Sequence, residues 1–256
     1  MKKLVCFFML LVLFAGSSCA IYQLKLPEDI PPVIKLETHD KKTGKLQGME
    51  EIRISRVNGG GEELLAIESL AWVNVKNEKY DQAARTLYNI NNDLITVRSQ
   101  KIDAVLDKKG LFLSNIDFDW TKKQASSVFK DLKKNEERTE KVELNNNSIL
   151  VCDLSFYITS MISSGKKNGT ANVILPGGKV LKSNIEVDYE PEQITISGRQ
   201  IRSYRAKTTF DLGMLSIFSP TLQFWFMADA PYFFLRYMGP GSSPGSSDII
   251  QEVVNL

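Results

Sequence analysis

Reactive and cross-linking side chains are nearly missing from this chain, which has one histidine, His39, and three cysteines, Cys6, Cys19 and Cys152. A single His excludes a metal centre built from imidazoles, and its place beside Asp40 in a polar stretch reads as a solvated turn. Two of the cysteines fall in the first twenty residues, so the body has no pair for a disulfide and must rest on its core. Cys152, at the end of the apolar run Ile149-Leu150-Val151-Cys152, reads as a small buried hydrophobe. An excess of one charge is missing too. With Lys2 and Lys3 set aside, 30 basic residues face 30 acidic ones, which argues against a basic face for nucleic acid or anionic lipid. Nor does any apolar run reach the ~20 residues of a membrane-spanning helix.

The longest apolar run, Leu4 to Ala15, follows Lys2 and Lys3 and precedes the small residues Gly16-Ser17-Ser18-Cys19-Ala20. This order of charge, apolar stretch and small residues is that of an export signal, read here over residues 1–19, which places the mature protein outside the cytoplasm. Two processing routes remain open. Cys19 with Ser17 and Ser18 before it resembles a bacterial lipobox, although Gly16 stands where Leu, Val or Ile is usual; lipidation at Cys19 would anchor the chain, and by resemblance the absence of Asp after it points to the outer membrane. Cleavage after Ala20, with Ser18 and Ala20 as the small residues, would release it to the periplasm. Residues 20–32, with Pro27, Pro31 and Pro32, read as an extended tether.

From residue 33 to 256 the pattern is that of one domain of consecutive short strands. Val33 to Thr38 and Met49 to Val57 form a hairpin across Lys41-Lys42-Thr43-Gly44-Lys45, and Asn58-Gly59-Gly60-Gly61 opens the next. Leu64 to Val75, Arg85 to Ile90, Leu94 to Leu106 and Leu111 to Trp120 continue the series. Lys133 to Lys141 mixes charges of both signs and reads as a solvated loop or edge. One helix interrupts, near 153–163: Leu154, Tyr157, Ile158, Met161 and Ile162 recur at helical spacing, with Asp153 as N-cap and Gly165 as stop. Ala171 to Leu175, Val180 to Tyr189, Ile194 to Ser197, Ile201 to Leu212, Thr221 to Phe226, Phe233 to Met238 and Asp248 to Leu256 are further strands. Short spacing throughout makes the sheet antiparallel.

Catalytic motifs do not survive mechanical tests. Gly241-Ser242-Ser243-Pro244-Gly245 matches G-x-S-x-G, but Pro244 has no N–H for an oxyanion hole and the one His lies upstream. Asp117 and Asp119 share a strand face ~7 Å apart, yet Ile116, Phe118 and Trp120 opposite them mark a half-buried strand with its acids in water. Asn58-Gly59-Gly60-Gly61 is followed by Glu62 and Glu63, which repel a phosphate. The reading is therefore of a protein that is no enzyme, with neither cofactor nor metal; a hydrolase using the two Asp residues is a remote alternative.

Aromatic residues remain in unusual supply. The stretch Phe224-Trp225-Phe226-Met227-Ala228-Asp229-Ala230-Pro231-Tyr232-Phe233-Phe234-Leu235-Arg236-Tyr237, a strand, an Asp-x-Pro corner and a strand back, resembles a hairpin of the Lol lipoprotein-carrier superfamily. Asp153-Leu154-Ser155-Phe156-Tyr157 is similar to a helix motif in a family of bacterial periplasmic proteins of unknown function related to those carriers. The resemblance spans roughly the last hundred residues. It implies a mainly β fold, a single curved antiparallel sheet or open half-barrel with one helix packed on its concave face, and an apolar cavity between them. Trp120, Leu154, Ile158, Met161, Phe224 and Trp225 are the candidate lining, with one of the adjacent pair Phe224 and Trp225 facing in. Two functions follow. One is an envelope protein that binds or carries a lipid or acyl chain. The other is a structural or adaptor lipoprotein with a filled interior and a protein partner.

Overall fold

The computed structural model describes residues 24–25, 31–75, 78–91, 94–107, 109–211, 220–241 and 247–255. The export signal, Cys19, most of the tether and Ser242 to Gly245 of the G-x-S-x-G match lie outside the described residues.

Alternation of inward apolar and outward polar side chains sets the architecture. In Lys109–Asp119, Phe112, Ser114 and Ile116 are buried while their neighbours are not; in Val180–Ile196 the same holds for Leu181, Ser183, Ile185 and Val187. Such a period of two gives one wet and one buried sheet face. The strands are β1 (Leu24–Lys25), β2 (Val33–Asp40), β3 (Leu46–Gly59), β4 (Glu62–Val75), β5 (Glu78–Asn91), β6 (Leu94–Leu106), β7 (Lys109–Asp119), β8 (Gln124–Asp131), β9 (Glu136–Glu143), β10 (Ser148–Leu150), β11 (Asn168–Ile174), β12 (Val180–Ile196), β13 (Arg199–Phe210), β14 (Leu222–Met227), β15 (Phe234–Pro240) and β16 (Asp248–Val253). Between β10 and β11 stands one helix, α1 (Leu154–Ser163), entered through a 3₁₀ turn at Val151–Asp153.

All strands join one open sheet, in the order β10 to β16 and then β2 to β9, with β1 added beside β6. Each half is a meander of sequential neighbours, and the halves meet where β16 pairs antiparallel with β2, Val253 opposite Leu36. Every pairing is antiparallel except β10 with β11. The sheet is strongly curved because its two ends are consecutive in sequence: β9 leads into β10 through residues 144–147, which span at most ~18 Å when fully extended. The β11–β12 turn bridges the gap. A Cβ on Gly178 would lie 3.0 Å from Glu140 Cβ on β9 and 3.1 Å from Ser127 Cβ on β8, so only glycine lets the turn sit this close. The concave face holds one continuous apolar cluster that includes α1.

The expected curved antiparallel sheet with a helix on its concave face is what forms, and the Pro231 corner lies between β14 and β15 with Trp225 opposite Arg236. Three local readings differ. β5 begins at Glu78, seven residues before Arg85, and β8 fills a stretch taken to have no strand. Both present small or polar residues inward, such as Ala84 and Ser127, which carry little apolar signal. Val180 to Ile196 is a single strand, whose irregularity between Asp188 and Glu192 absorbs Pro191, where a regular ladder would lose a donor. The charged Glu136–Glu143 is an edge strand, as its composition suggests.

Candidate functional site

The helix is the element that decides whether the concave face is filled or hollow. Its residues alternate on a helical period, yet Leu154, Ser155, Phe156, Ile158, Thr159, Met161 and Ile162 are all buried, more than one stripe. It lies deep in the sheet's curve rather than across its rim. On the β11 side, a Cβ on Gly169 would come within 2.6 Å of Met161 Sδ, so the helix nearly touches strand backbone. The Tyr157 hydroxyl donates to the Thr170 carbonyl at 2.9 Å, and the Tyr189 hydroxyl donates to the Met161 carbonyl at 3.0 Å. Gly165 ends the helix at positive φ, with Lys166 N–H donating to Met161 O at 2.8 Å, the stop read from the sequence.

Asp153 occupies the N-cap position, but its side chain does not cap the helix. The carboxylate turns instead toward the sheet, where Tyr88 on β5 donates to Oδ1 at 2.7 Å. Cys152 Sγ stands 3.6 Å from the same oxygen and accepts from Gln100 Nε2 of β6 at 3.0 Å; that amide also donates to Thr86 Oγ1 at 3.2 Å. This network ties the helix start to β5 and β6 in a dry setting. Burial pushes the Asp153 carboxyl up to about 6, against the lowering effect of the Tyr88 bond, and pushes the Cys152 thiol well up, so that it stays protonated and unreactive.

The six candidate lining residues do not meet in one open pocket. Ile158 and Phe224 are fully buried, Leu154 is 1% exposed and Met161 3% exposed, all within the main cluster. Of the adjacent aromatic pair, Phe224 faces in, against Tyr237 at 5.3 Å between ring centres. Trp225 faces out. It packs with Ile194, Ile196 and Leu235 in a separate cluster, donates Nε1 to Glu192 Oε1 at 2.6 Å and lies beneath the Arg236 guanidinium. Trp120 is half-buried against the main cluster: its indole donates to the Val97 carbonyl at 2.7 Å, and its ring stacks on Phe118 at 5.8 Å. Ile54 and Ile90 are likewise partly exposed against the same cluster. Within the segment read as an extended tether, β1 adds to β6, Leu24 opposite Ile95.

The remaining candidates stay structural. Asp119 pairs with Lys122 at 2.7 Å, and Asp117, exposed, accepts from Asn115 at 2.9 Å. His39 is half-buried between Glu37 and the Gly44 carbonyl. Among the described residues no group of His, Cys, Asp or Glu is arranged to hold a metal ion, and no helix is long and apolar enough to cross a membrane.

Two features gave no sequence signal. Glu50, on the concave face of β3, is 1% exposed with neutral partners: Ser69 Oγ donates to it at 2.6 Å and Gln251 Nε2 at 3.2 Å. On the convex face, Leu70 is 59% exposed and stands between hollows of about 410 and 280 Å³ that it shares with Ala83 and Asp103. Compared with known proteins, the chain matches no family model and no curated protein.

Proposed function

We propose that this is an exported bacterial envelope protein, attached by a lipid on Cys19 or free in the periplasm, whose filled half-barrel serves as a scaffold for a protein partner. The observation that carries this reading is the packing of α1. Leu154, Ile158 and Met161, whose helical spacing would suit a ligand channel, are in contact with sheet residues and scarcely exposed. A large exposed apolar residue lies instead on the convex face, at Leu70, where two shallow hollows offer shape to a partner and burial of one Leu contributes ~1.5 to 3 kcal/mol. The resemblance of the Asp153 segment and the 224–237 hairpin to the lipoprotein-carrier superfamily belongs to the same proposal, and the curved sheet with its inner helix supports it.

A second reading, carriage of a lipid or acyl chain, rests on the partly buried Ile54, Ile90, Phe118 and Trp120 packed against the core cluster. One experiment separates the two. A photo-crosslinking residue at position 70, introduced in the native host, is expected to trap a defined protein partner, with a control at exposed Glu143 trapping none; mass spectrometry of an organic extract of the same purified protein is expected to show no stoichiometric lipid. A retained lipid with no position-70 adduct would replace the scaffold by the carrier. Palmitate-analogue labelling that disappears in Cys19→Ser is the expected sign of the anchor, and an unlabelled soluble protein beginning at Ile21 would remove it.

A further inference from the structure

Glu50 stands at the join between the two meanders. Its side chain reaches past β2 to Gln251 on β16, so one hydrogen bond connects the second half of the sheet to β3, the second strand of the first. Among the described residues, no cation pairs with it. On the concave face it is flanked by Leu36 and Thr38 of β2, Ser69 and Ala71 of β4, and Ile249, Gln251 and Val253 of β16. The inward titratable groups on the neighbouring strands are Asp40 of β2, held anionic by Thr43 and Ser247, and Tyr237 of β15, whose hydroxyl donates to the Pro240 carbonyl. A carboxylate buried without a countercharge pays its full desolvation cost, which a proton removes.

The neighbours show what the neutral acid would do. Among the described residues, Oε1 of Gln251 is buried without a hydrogen-bond partner, so no bond at that atom holds the amide in the orientation found. A glutamine amide has two orientations related by a half-turn. With Nε2 toward Glu50, as found, the amide serves an ionised acceptor. Reversed, Oε1 accepts from a protonated Glu50, so the bond across the join is kept with its direction exchanged.

We propose that Glu50 and Gln251 form a protonation-operated latch across the join of β16 and β2, in which neutral Glu50 donates to a reversed Gln251 amide and ionised Glu50 accepts from it. The proton is exchanged with solvent water, and no other bond changes. Both states keep one hydrogen bond across the join, and the neutral state, free of the cost of a buried unpaired charge, holds it more tightly. Desolvation raises the Glu50 carboxyl to about 7 from 4.5, with Ser69 and Gln251 opposing that rise. The join therefore loosens as pH rises from about 4.5 to about 7, and stays loose above.

The test is amide hydrogen exchange of β2 and β16 in the full-length protein across pH 5 to 8.5, corrected for the pH dependence of exchange itself. Wild type is expected to show the opening of these strands growing by up to ~tenfold per pH unit until about pH 7 and then levelling. Glu50→Gln, which is always neutral and can donate, is expected to abolish that dependence. An unchanged profile in Glu50→Gln would overturn the latch. Should that variant fail to fold, infrared titration decides, in an Asp153→Asn background that removes the other buried acid: a protonated carboxyl band lost near pH 7 is expected, with its midpoint moved by Gln251→Met. A band absent at pH 5.5, or a midpoint that Gln251→Met leaves in place, would overturn it equally.

Discussion

The Tyr88 hydroxyl donates to Asp153 Oδ1 at 2.7 Å, joining an interior strand of the sheet to the residue that starts α1. The Phe156 ring, one turn further on, meets the Tyr88 ring edge-on at 6.4 Å. A polar bond and an aromatic contact thus fix the helix at the same tyrosine, which makes Tyr88 the anchor of α1.

Removing only the hydroxyl tests the polar half of that anchor. Tyr88→Phe keeps the ring contact and deletes a bond to a charged acceptor, at a cost of ~1.5 to 3 kcal/mol. The loss is expected to be full at pH 7.5 and smaller at pH 5, where Asp153 is largely neutral. Urea denaturation at the two pH values checks this, and an equal loss at both would show that the charge plays no part.

Ionisation of Asp153 sets an acid-side dependence of its own. Its carboxyl is raised to about 6 from 3.8, chiefly by desolvation, so the folded state binds the proton more tightly than the unfolded one. The stabilisation is complete below about 3.8 and is lost as pH rises to about 6. Asp40 behaves oppositely: Ser247, then Thr43, hold it near 2, so its contribution is present above 3.8 and lost as pH falls toward 2. Thermal melts of Asp153→Asn should flatten the profile between pH 4 and 6, while Asp40→Asn should flatten it between pH 2 and 4. If both variants retain the wild-type profile, these carboxyls are not its source.

The close approach of the β11–β12 turn to β8 and β9 makes a matched pair of glycine substitutions informative. Gly178 and Gly60 both have positive φ, at +80° and +73°, but a Cβ at Gly60 meets nothing within 4 Å. Gly60→Ala should lose ~1 to 2 kcal/mol to backbone strain alone. Gly178→Ala should lose more, because strands β8 and β9 must also give way. Equal losses in denaturant titrations would mean that the turn does not bear on those strands.

The packed helix makes a further demand at Ile158, which is fully buried. Ile158→Ala should cost ~2 to 5 kcal/mol through the cavity left behind, and Ile158→Phe ~1 to 3 kcal/mol through overpacking. A channel shaped for a ligand would accept the larger ring with little change in stability while losing lipid, and the pair of melts with lipid extraction separates these outcomes.

Much of the fold was legible because its inward residues are apolar at a regular period. The hairpin at 224–237 could be placed from its aromatics and its Pro231 corner, and α1 from Leu154, Ile158 and Met161. Period two also requires Phe224 and Trp225 to face opposite ways, but which one turns inward depends on register with Tyr237 and Arg236, a long-range fact. β8 was hidden because Ala125 and Ser127 are small and β10 because it has three residues. The concave acid was hidden for another reason. Glu50 is followed by Glu51, an ordinary surface pair until β16 covers one of them, and the exposed Leu70 reads as core in a run of apolar neighbours.

Pairing of β16 with β2 also orders events in time. Lys35 N–H donates to Asn255 Oδ1, 220 residues further along the chain. During synthesis the first meander, β2 to β9, emerges whole while the strand that completes it does not yet exist. Each of its hairpins is local and can form early, but the open flank of β2, with Val33, Ile34 and Leu36, waits as an unpaired edge. Such an edge invites pairing with other nascent chains. Lys35 and Glu37 alternate with those apolar residues, placing charge on the outward face of the waiting strand. The slowest step in folding this protein is therefore expected to be the arrival of β16, with aggregation competing most strongly just before it.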